Sequence, residues 1–340
     1  MNFIKTKVYK LLAPQELVLI EEQINVDNLE ENEFIAETIY TAISPGTETA
    51  AFIGKEPLRP GNIYPRVVGY CNIAKIISKG KSIHDLSVGD FVLTFQSHRS
   101  HYIQSNKDFY LKINPELAKE ATVAYLFHLG YHSLLTAGAK QGHNVAIIGA
   151  GVLGVATSVM SEVSGARTFL FSNQSDSISF MTKYNKFVRV LKKQDSSLKY
   201  VQTQTEETGL DIIVNTSNSW DDWKFALNAV NTNGLIVNLG FPGRGEALPL
   251  FNPLDPQFVY TKNLTIKALS PLYEAEISAS QIRFNVKRNL EYIISLINAG
   301  RIFFDQLVTK EISYLNLNEQ YIQYTSRNNY LLSTLIHWKD

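Results

Sequence analysis

Short runs in which apolar and polar residues alternate dominate the beginning of the chain. Residues 1 to about 115 contain "EFIAETIYTAIS", "NIAKIISKG" and "DFVLTF", separated by Gly, Pro and Asn. Neighbouring side chains of a strand point to opposite faces, so alternation of this kind is typical of strands with one buried face. The pattern predicts an antiparallel β domain.

The pattern then changes to longer periods. Apolar residues recur at helical spacing in "PELAKEATVAYLFHLGYHSLLTAG", and buried strands alternate with helices in "NVAIIG", "VLGVATSVMSEVSG" and "RTFLFS". Apolar strands separated by helices predict a parallel sheet covered on both faces. The tail from about 270 returns to mixed character and contains the amphipathic segment "RFNVKRNLEYIISLINAG".

A glycine turn, "GAGVLG", joins the first of these strands to its helix. Gly149 ends the strand with a tight turn, Gly151 lets the backbone approach a pyrophosphate, and Gly154 lets the helix pack closely. The helix N-terminus offers N–H groups and a positive dipole end to phosphates. The alternative is three glycines that serve packing alone. We expect a dinucleotide to contact Gly149, Gly151, Val152, Leu153 and Gly154.

The end of the second strand bears on the choice of cofactor. An acidic residue there bonds the adenosine ribose hydroxyls, whereas neutral residues with a nearby cation accept a 2'-phosphate. The segment "FSNQSD" places Ser172 or Asn173 at this position, and Lys183 and Lys186 follow. NADP(H) is therefore favoured over NAD(H). Asp176 is the alternative acid if the turn is longer.

Composition narrows the range of partners and cellular locations. Lys plus Arg and Asp plus Glu are both 32, so the chain has no net field that would attract nucleic acid or an anionic membrane. The single cysteine, Cys71, excludes an internal disulfide and a zinc site built from cysteines. We find no signal peptide and no apolar run long enough to span a bilayer, and we expect a cytoplasmic protein with a small-molecule substrate.

The order of these segments resembles the medium-chain dehydrogenase/reductase superfamily, the alcohol dehydrogenase and quinone reductase group. "AISPGTE" is most similar to a branch that includes bacteriochlorophyllide dehydrogenase-like and sorbitol-dehydrogenase-like proteins. The motifs that carry the resemblance are "TAISPGTE" at 41–48, "YPRVVGYCNIAKIISKGKSIHDLSVGDFV" at 64–92, "GAGVLG", "GLIVNLGFPG" at 234–243 and "LINAGRI" near 300.

The resemblance implies an α/β chain with two domains. A GroES-like antiparallel β catalytic domain would comprise residues 1–118 and 270–340, and a Rossmann doubly wound parallel-sheet nucleotide domain residues 119–269. Family members pair strands across a dimer at positions similar to "GLIVNLG" and "NLTIKALS", so a homodimer is expected.

The chain departs from the zinc-binding members of that family at the metal ligands. The corresponding residues here are Ser44, Tyr70 with Cys71, and His128, a set with at most one obvious nitrogen ligand. A catalytic zinc site needs three protein ligands and an open position, so no zinc is expected. A replacement metal site built from Glu48, His98, His101 or His128 is the open alternative.

Without zinc, hydrogen-bond donors must stabilise the charge that develops on a carbonyl oxygen. Tyr70 is the first candidate, because it takes the place of a metal ligand; the alternative is that it only fills that space. His128 either lines the substrate cleft or is a satisfied histidine between domains. Ser44 lies beside the Pro-Gly turn, and Glu48 either binds substrate hydroxyls or caps the following helix.

Strand ends elsewhere in the predicted parallel sheet supply the remaining candidates. Ligands of such sheets bind at the carboxyl ends of the strands, which places Thr216, Gly240 and Phe241 near the cofactor. Arg244 either reaches a phosphate or is a solvated loop residue.

The sequence thus predicts a zinc-independent oxidoreductase that moves a hydride between NADP(H) and a small organic carbonyl or alcohol. Two alternatives stay open at this point. One is reduction of a C=C bond in an enone or quinone, and the other is a catalytically silent nucleotide-binding redox sensor.

Overall fold

The computed structural model of the chain describes residues 2–58, 61, 63–184, 188–269, 284–326 and 330–339. Its contacts divide the chain into two compact units. The first unit comprises Met1–Tyr125 and Ile297–Asp340, and the second comprises Leu126–Leu296. The sequence-based domain bounds, which fall after residues 118 and 269, stay a prediction.

The elements follow one another in an order that changes from strands to alternating strands and helices. The strands are β1 Phe3–Ala13, β2 Glu16–Asn25, β3 Glu33–Ala42, β4 Arg66–Val67, β5 Cys71–Lys79, β6 Phe91–Thr94, β7 His101–Ser105, β8 Tyr110–Ile113, β9 Asn144–Ile148, β10 Arg167–Phe171, β11 Arg189–Leu191, β12 Leu210–Asn215, β13 Val230–Asn238, β14 Thr265–Ala268, β15 Val308–Ser313 and β16 Ser333–His337. The helices are α1 Pro45–Phe52, α2 Ala118–Ala121, α3 Ala124–Ala137, α4 Val152–Val163, α5 Ser175–Tyr184, α6 Asp195–Gln204, α7 Trp220–Ala229, α8 Pro256–Val259, α9 Val286–Asn298 and α10 Leu317–Ser326.

The first unit is built mainly on antiparallel strands, and β15 and β16 are its parallel pair. Its larger sheet has the order β15-β16-β3-β5-β6-β8, with β7 paired to β3, and β2-β1-β4 form a smaller sheet. Alternate residues of β3, Phe34 and Ala36, pack with Ile76, Val92 and Tyr102 in one buried cluster. Ile35, between them, is also fully buried, so this part of β3 is covered on both faces, and Phe34 and Ala36 mark the face that packs in this cluster.

The second unit contains a parallel sheet of order β11-β10-β9-β12-β13-β14. All five residues of β9 are buried, so both faces of the sheet are covered at its centre. The strand order reverses between β9 and β12. Open sheets of this kind bind ligands at the carboxyl ends of the strands beside such a reversal.

These observations confirm the predicted fold class, an α/β chain with a GroES-like antiparallel unit and a Rossmann-like parallel unit. Within the described ranges, no helix has the length and apolar character needed to cross a membrane.

Candidate active site

The glycine turn lies at the reversal point of the parallel sheet. Gly149 follows β9 with a φ of +97°, a value that favours glycine, and its N–H donates to Phe171 O of the neighbouring strand at 3.0 Å. A Cβ on Gly154 would lie 1.8 Å from Gly149 O, so helix and turn meet at van der Waals distance only with glycine at this position. The turn and α4 are thereby held in one fixed geometry.

Gly151 is the N-cap residue of α4, and it has a different environment. A Cβ on Gly151 would meet no atom within 4 Å. The first-turn N–H groups of an α-helix, which here include Val152 and Leu153, have no partner within the helix. The turn therefore presents backbone donors beside open space, and this is the cradle that a pyrophosphate requires.

Two further predicted residues, Thr216 and Gly240, hold the neighbouring strand ends together. The Thr216 hydroxyl donates to Ile148 O at 2.9 Å and to Gly149 O at 3.2 Å. A Cβ on Gly240 would lie 2.5 Å from Ser217 O. Thr216 and Gly240 thus fix the backbone around the glycine turn.

The loop after β13 carries an aromatic ring and a buried cation. Phe241 is about half exposed, and the Arg244 guanidinium lies over its ring at 4.0 Å. Arg244 is only 7% exposed, so the prediction of a solvated loop residue is wrong. Burial lowers the pKa of Arg244.

The end of β10 has no acidic side chain within its first two following residues. The Ser172 hydroxyl shares a hydrogen bond with Ser177 Oγ at 2.7 Å and accepts from Gln174 N. Asn173 Oδ1 accepts from the N–H of Lys193 at 2.9 Å. The Ser172 hydroxyl is therefore used to organise the start of α5.

The charged residues named after β10 lie on its following helix. Asp176 is exposed in the first turn of α5, and the ammonium of the exposed Lys183 lies over the Tyr184 ring at 5.1 Å. Lys186 lies outside the described residues.

A cavity of about 300 Å³ opens at the carboxyl ends of β10 and β11 and at the N-terminus of α7. Lys193 forms an ion pair with Asp222 in it, and the two side chains are 18% and 10% exposed. Sequence reasoning missed both residues, although Lys193 follows β11 in "RVLKKQD". The cavity is lined by Asn173, Lys193, Ser219, Asp221, Asp222 and Phe225.

A second cluster of predicted residues lies inside the first unit, around the carboxylate of Glu48. Glu48 Oε1 accepts from Ser44 N at 2.6 Å, and Oε2 accepts from His98 Nε2 at 2.8 Å and from the Tyr321 hydroxyl. Glu48 is 2% exposed and His98 is fully buried. The carboxylate thus caps the start of its own helix and is satisfied by three donors, which offset the cost of its burial.

The second nitrogen of His98 completes this network. His98 Nδ1 lies 2.8 Å from Thr41 Oγ1, which also accepts from Trp338 Nε1 at 2.9 Å. An ionised carboxylate can only accept, so His98 Nε2 carries a hydrogen toward Glu48 and offers no lone pair there. A Cβ on Gly69 would lie 2.7 Å from the His98 ring, so the ring is clamped in place.

Tyr70 and Ser44 form a buried hydroxyl pair beside that network. The Tyr70 hydroxyl donates to Ser44 Oγ at 2.5 Å. Burial, and then the nearby Cys71 and Glu48, raise the pKa of Tyr70, so its phenol is protonated at neutral pH. A hydroxyl that accepts one hydrogen bond keeps its own hydrogen to donate, and Ser44 can therefore pass a hydrogen bond onward.

His128 lies in α3 of the second unit, with its ring stacked on that of His132 at 5.7 Å. Burial, and then the neighbouring His132, lower the pKa of His128 to about 3. The imidazole is neutral at physiological pH, so it cannot act there as a cationic acid.

Known proteins resemble this arrangement at low sequence identity. No protein-family model matches the chain. The sorbitol dehydrogenase of Bacillus subtilis (strain 168) is 23% identical over 167 residues, which are 48% of this chain and 46% of that protein. The sequence match thus spans about half the length of this curated relative.

Solved structures match over almost the whole length. The 2R,3R-butanediol dehydrogenase of Bacillus subtilis aligns with a TM-score of 0.79 and 14% identity, over 98% of this chain and 100% of that one. The chain has the fold of the medium-chain dehydrogenases. The L-idonate 5-dehydrogenase of Escherichia coli str. K-12 substr. MG1655 gives the same TM-score, 0.79, at 15% identity, over 99% of each chain.

The zinc that many dehydrogenases of this fold bind lacks a matching donor set here. Ser44 and Tyr70, which the family resemblance aligns with two of the zinc-ligand positions, bond each other, and Glu48 and His98 bond each other in a separate network. In the part of the chain that the structure describes, no group of three His, Cys, Asp or Glu side chains could hold a metal. We therefore derive no step through zinc.

We predict that Glu48→Gln lowers the free energy of unfolding by about 3 kcal/mol. The Gln amide has one acceptor oxygen, and its NH2 group would face hydrogen-bond donors where the second carboxylate oxygen was. At least one of the three buried hydrogen bonds to Glu48 is therefore lost. Urea unfolding measures the loss. Glu22→Gln is the matched control, because it breaks a partly exposed pair with Lys10 and costs less than about 1 kcal/mol. Equal losses of unfolding free energy in Glu48→Gln and Glu22→Gln would contradict a stabilising role for the hydrogen bonds to Glu48.

We also predict that His128 makes the protein less stable as the pH falls. The unfolded imidazole takes up a proton below about 6.5 and the folded one only near 3, so stability is lost between these values. The expected loss from this residue is about 1.4 kcal/mol per pH unit. Urea unfolding from pH 7 to pH 5 should show a shallower dependence in His128→Asn than in the wild type.

The exposed His84 provides the control for this measurement, and His84→Asn should keep the wild-type pH dependence. An unchanged dependence in His128→Asn would show that the folded protein binds a proton at His128 in this range.

Proposed function

We propose that the chain is an oxidoreductase of the medium-chain dehydrogenase/reductase superfamily that transfers a hydride between NADP(H) and a small carbonyl or alcohol. One observation carries the proposal: the glycine turn with its open N-terminal cradle sits at the strand reversal of a dehydrogenase fold. Hydride transfer is the chemistry that a nicotinamide cofactor supplies when bound. The neutral Ser172 and Asn173 at the end of β10 support NADP(H) over NAD(H).

The proposed substrates are secondary alcohols that carry a neighbouring hydroxyl, and the matching ketones. The similar proteins are dehydrogenases of sorbitol, 2R,3R-butanediol and L-idonate. The branch that "AISPGTE" resembles also includes sorbitol-dehydrogenase-like proteins. In reduction, the hydride adds to the carbonyl carbon, the C=O electron pair moves to oxygen, and that oxygen takes up one proton.

The Tyr70–Ser44 hydroxyl pair is proposed to supply that proton in place of a zinc-bound centre. Tyr70 already donates its hydrogen to Ser44, so Ser44 passes its own hydrogen to the developing alkoxide and takes up that of Tyr70. The tyrosinate that remains takes a proton from water before the next turnover. The protonated phenol makes the pair a donor at neutral pH. In alcohol oxidation Tyr70 must first lose its proton to water before it can accept one through Ser44, so the protonated pair favours reduction at neutral pH. The donor set around Glu48 and His98 supports a mechanism without zinc.

We predict that Tyr70→Phe lowers kcat by about 100-fold or more, since a positioned proton donor contributes at least that factor. Chelator-treated protein would be titrated with NADPH and NADH, and turnover followed by nicotinamide absorbance on polyols and ketones. Tyr102→Phe is the control, because it removes another buried phenol of the first unit and should leave kcat unchanged.

Several outcomes would contradict this mechanism. Wild-type kcat in Tyr70→Phe would remove the hydroxyl pair from the reaction, and recovery of activity only on adding zinc would show that a metal is needed. Turnover of enones but not ketones would make the chain a C=C reductase. Cofactor binding without any turnover would favour a redox sensor.

We further propose a homodimer formed along the edge of the parallel sheet at β14. β14 ends the strand order of that sheet, and large apolar side chains are exposed in the segment between β13 and β14. The exposed apolar residues are Leu248, Leu250, Leu254 and Tyr260. Exposed apolar side chains close together on a surface are typical of interfaces.

Light scattering after size-exclusion chromatography tests the dimer. The wild type should have twice the mass of the 38.3 kDa chain, and Leu250→Asp should shift it toward the monomer. Val88→Asp, at an exposed apolar residue of the first unit, should leave the mass unchanged. A monomeric wild type would remove the proposal.

A further inference from the structure

Lys193 lies beside the position at which dinucleotide folds distinguish their two cofactors. It follows β11 by two residues, and its N–H donates to Asn173 Oδ1 at 2.9 Å. Asn173 in turn follows the neighbouring strand β10 by two residues. The 2' substituent of the adenosine ribose is read at the end of this strand, so the backbone places a lysine next to it.

The side chain of Lys193 points into the cavity at α7 and pairs with Asp222 there. Both charged groups are largely removed from water, with side chains 18% and 10% exposed. A cation held in such a place without a partner would be costly, and Asp222 supplies the counter-charge. The cavity thus contains a lysine whose positive charge is balanced by Asp222.

Other groups at the end of β10 are less suited to reading the ribose. The Ser172 hydroxyl is engaged with Ser177 and Gln174, and the acceptor oxygen of Asn173 is engaged by Lys193. Lys183, the cation that the sequence suggested, is exposed on α5. Lys193 is the lysine that lines the described cavity.

We propose that Lys193 is the residue that binds the 2'-phosphate of NADP(H) and that Asp222 is its counter-ion while the cofactor is absent. This inference rests on the proposed function. An ammonium group has three donors, so Lys193 can bond the phosphate while it keeps its contact with Asp222. A 2'-phosphate carries more negative charge than one carboxylate and competes well for the lysine.

The same ion pair makes the cofactor preference depend on both residues. If Lys193 loses its charge, Asp222 is left unpaired and repels a 2'-phosphate, whereas a ribose hydroxyl can donate to it. If Asp222 loses its charge, the ammonium is released for the phosphate. Loss of the Lys193 charge should therefore weaken NADPH binding, and loss of the Asp222 charge should not.

The experiment is a fluorescence titration of the full-length protein with NADPH and with NADH, repeated in competition with 2',5'-ADP and 5'-AMP. Lys193→Gln should weaken NADPH and 2',5'-ADP binding by about 10-fold or more, the worth of one charge-assisted hydrogen bond. NADH and 5'-AMP binding should change by less than about threefold on the same scale. Asp222→Asn should leave NADPH binding as tight as in the wild type or tighter.

Lys192→Gln is the matched control, because Lys192 is the exposed neighbour of Lys193 and should leave all four affinities unchanged. The double variant with Lys193→Gln and Asp222→Asn leaves no unpaired buried charge. It provides the same comparison if Lys193→Gln alone does not fold. It should lose the same part of the binding preference for 2',5'-ADP over 5'-AMP.

The outcomes separate this inference from the proposed function. Tight NADPH binding that survives Lys193→Gln, or equal losses for NADPH and NADH, would overturn the role of Lys193 and leave the oxidoreductase proposal standing. A wild type that binds NADH in preference to NADPH would also overturn it. A wild type that binds neither cofactor would overturn both.

Discussion

One buried carboxylate connects the parts of the first unit. Glu48 holds the start of α1 through Ser44 N, the segment before β7 through His98, and α10 through Tyr321. Removing a carboxylate from water is costly, and here three donors replace the lost hydration. The hydroxyl pair of Tyr70 and Ser44 depends on this arrangement, because Ser44 is held at its backbone by Glu48 and at its side chain by Tyr70.

In the second unit the corresponding constraint is steric. Gly154 and Gly149 approach so closely that a single methyl group would separate the helix from the turn. Thr216 closes the third side of the turn with its hydroxyl. The backbone donors of α4 are therefore held in place before any ligand arrives, and binding need not pay for ordering them. Under the proposed function, this rigid backbone binds the cofactor phosphates, and the side chains at the neighbouring strand ends distinguish NADP(H) from NAD(H).

Local sequence predicted the features that depend on local geometry. The alternation around Phe34 and the continuous burial of β9 gave the two kinds of sheet, and "GAGVLG" gave the turn. Residues that meet only through tertiary structure were missed or misjudged. Lys193 and Asp222 are far apart in the chain, and nothing near either one indicates an ion pair. Arg244 was misjudged for a related reason, since flanking glycines suggest exposure while the fold buries it.

The bond between Tyr321 and Glu48 joins residues 273 positions apart, and the second unit lies between them in the chain. On the ribosome, α1 and β1 to β8 emerge long before α10. Until α10 is made, the Glu48 carboxylate lacks the hydrogen bond from Tyr321. The second unit is continuous in sequence and can complete its contacts first. During synthesis the second unit can therefore fold while the larger sheet of the first unit still lacks β15 and β16.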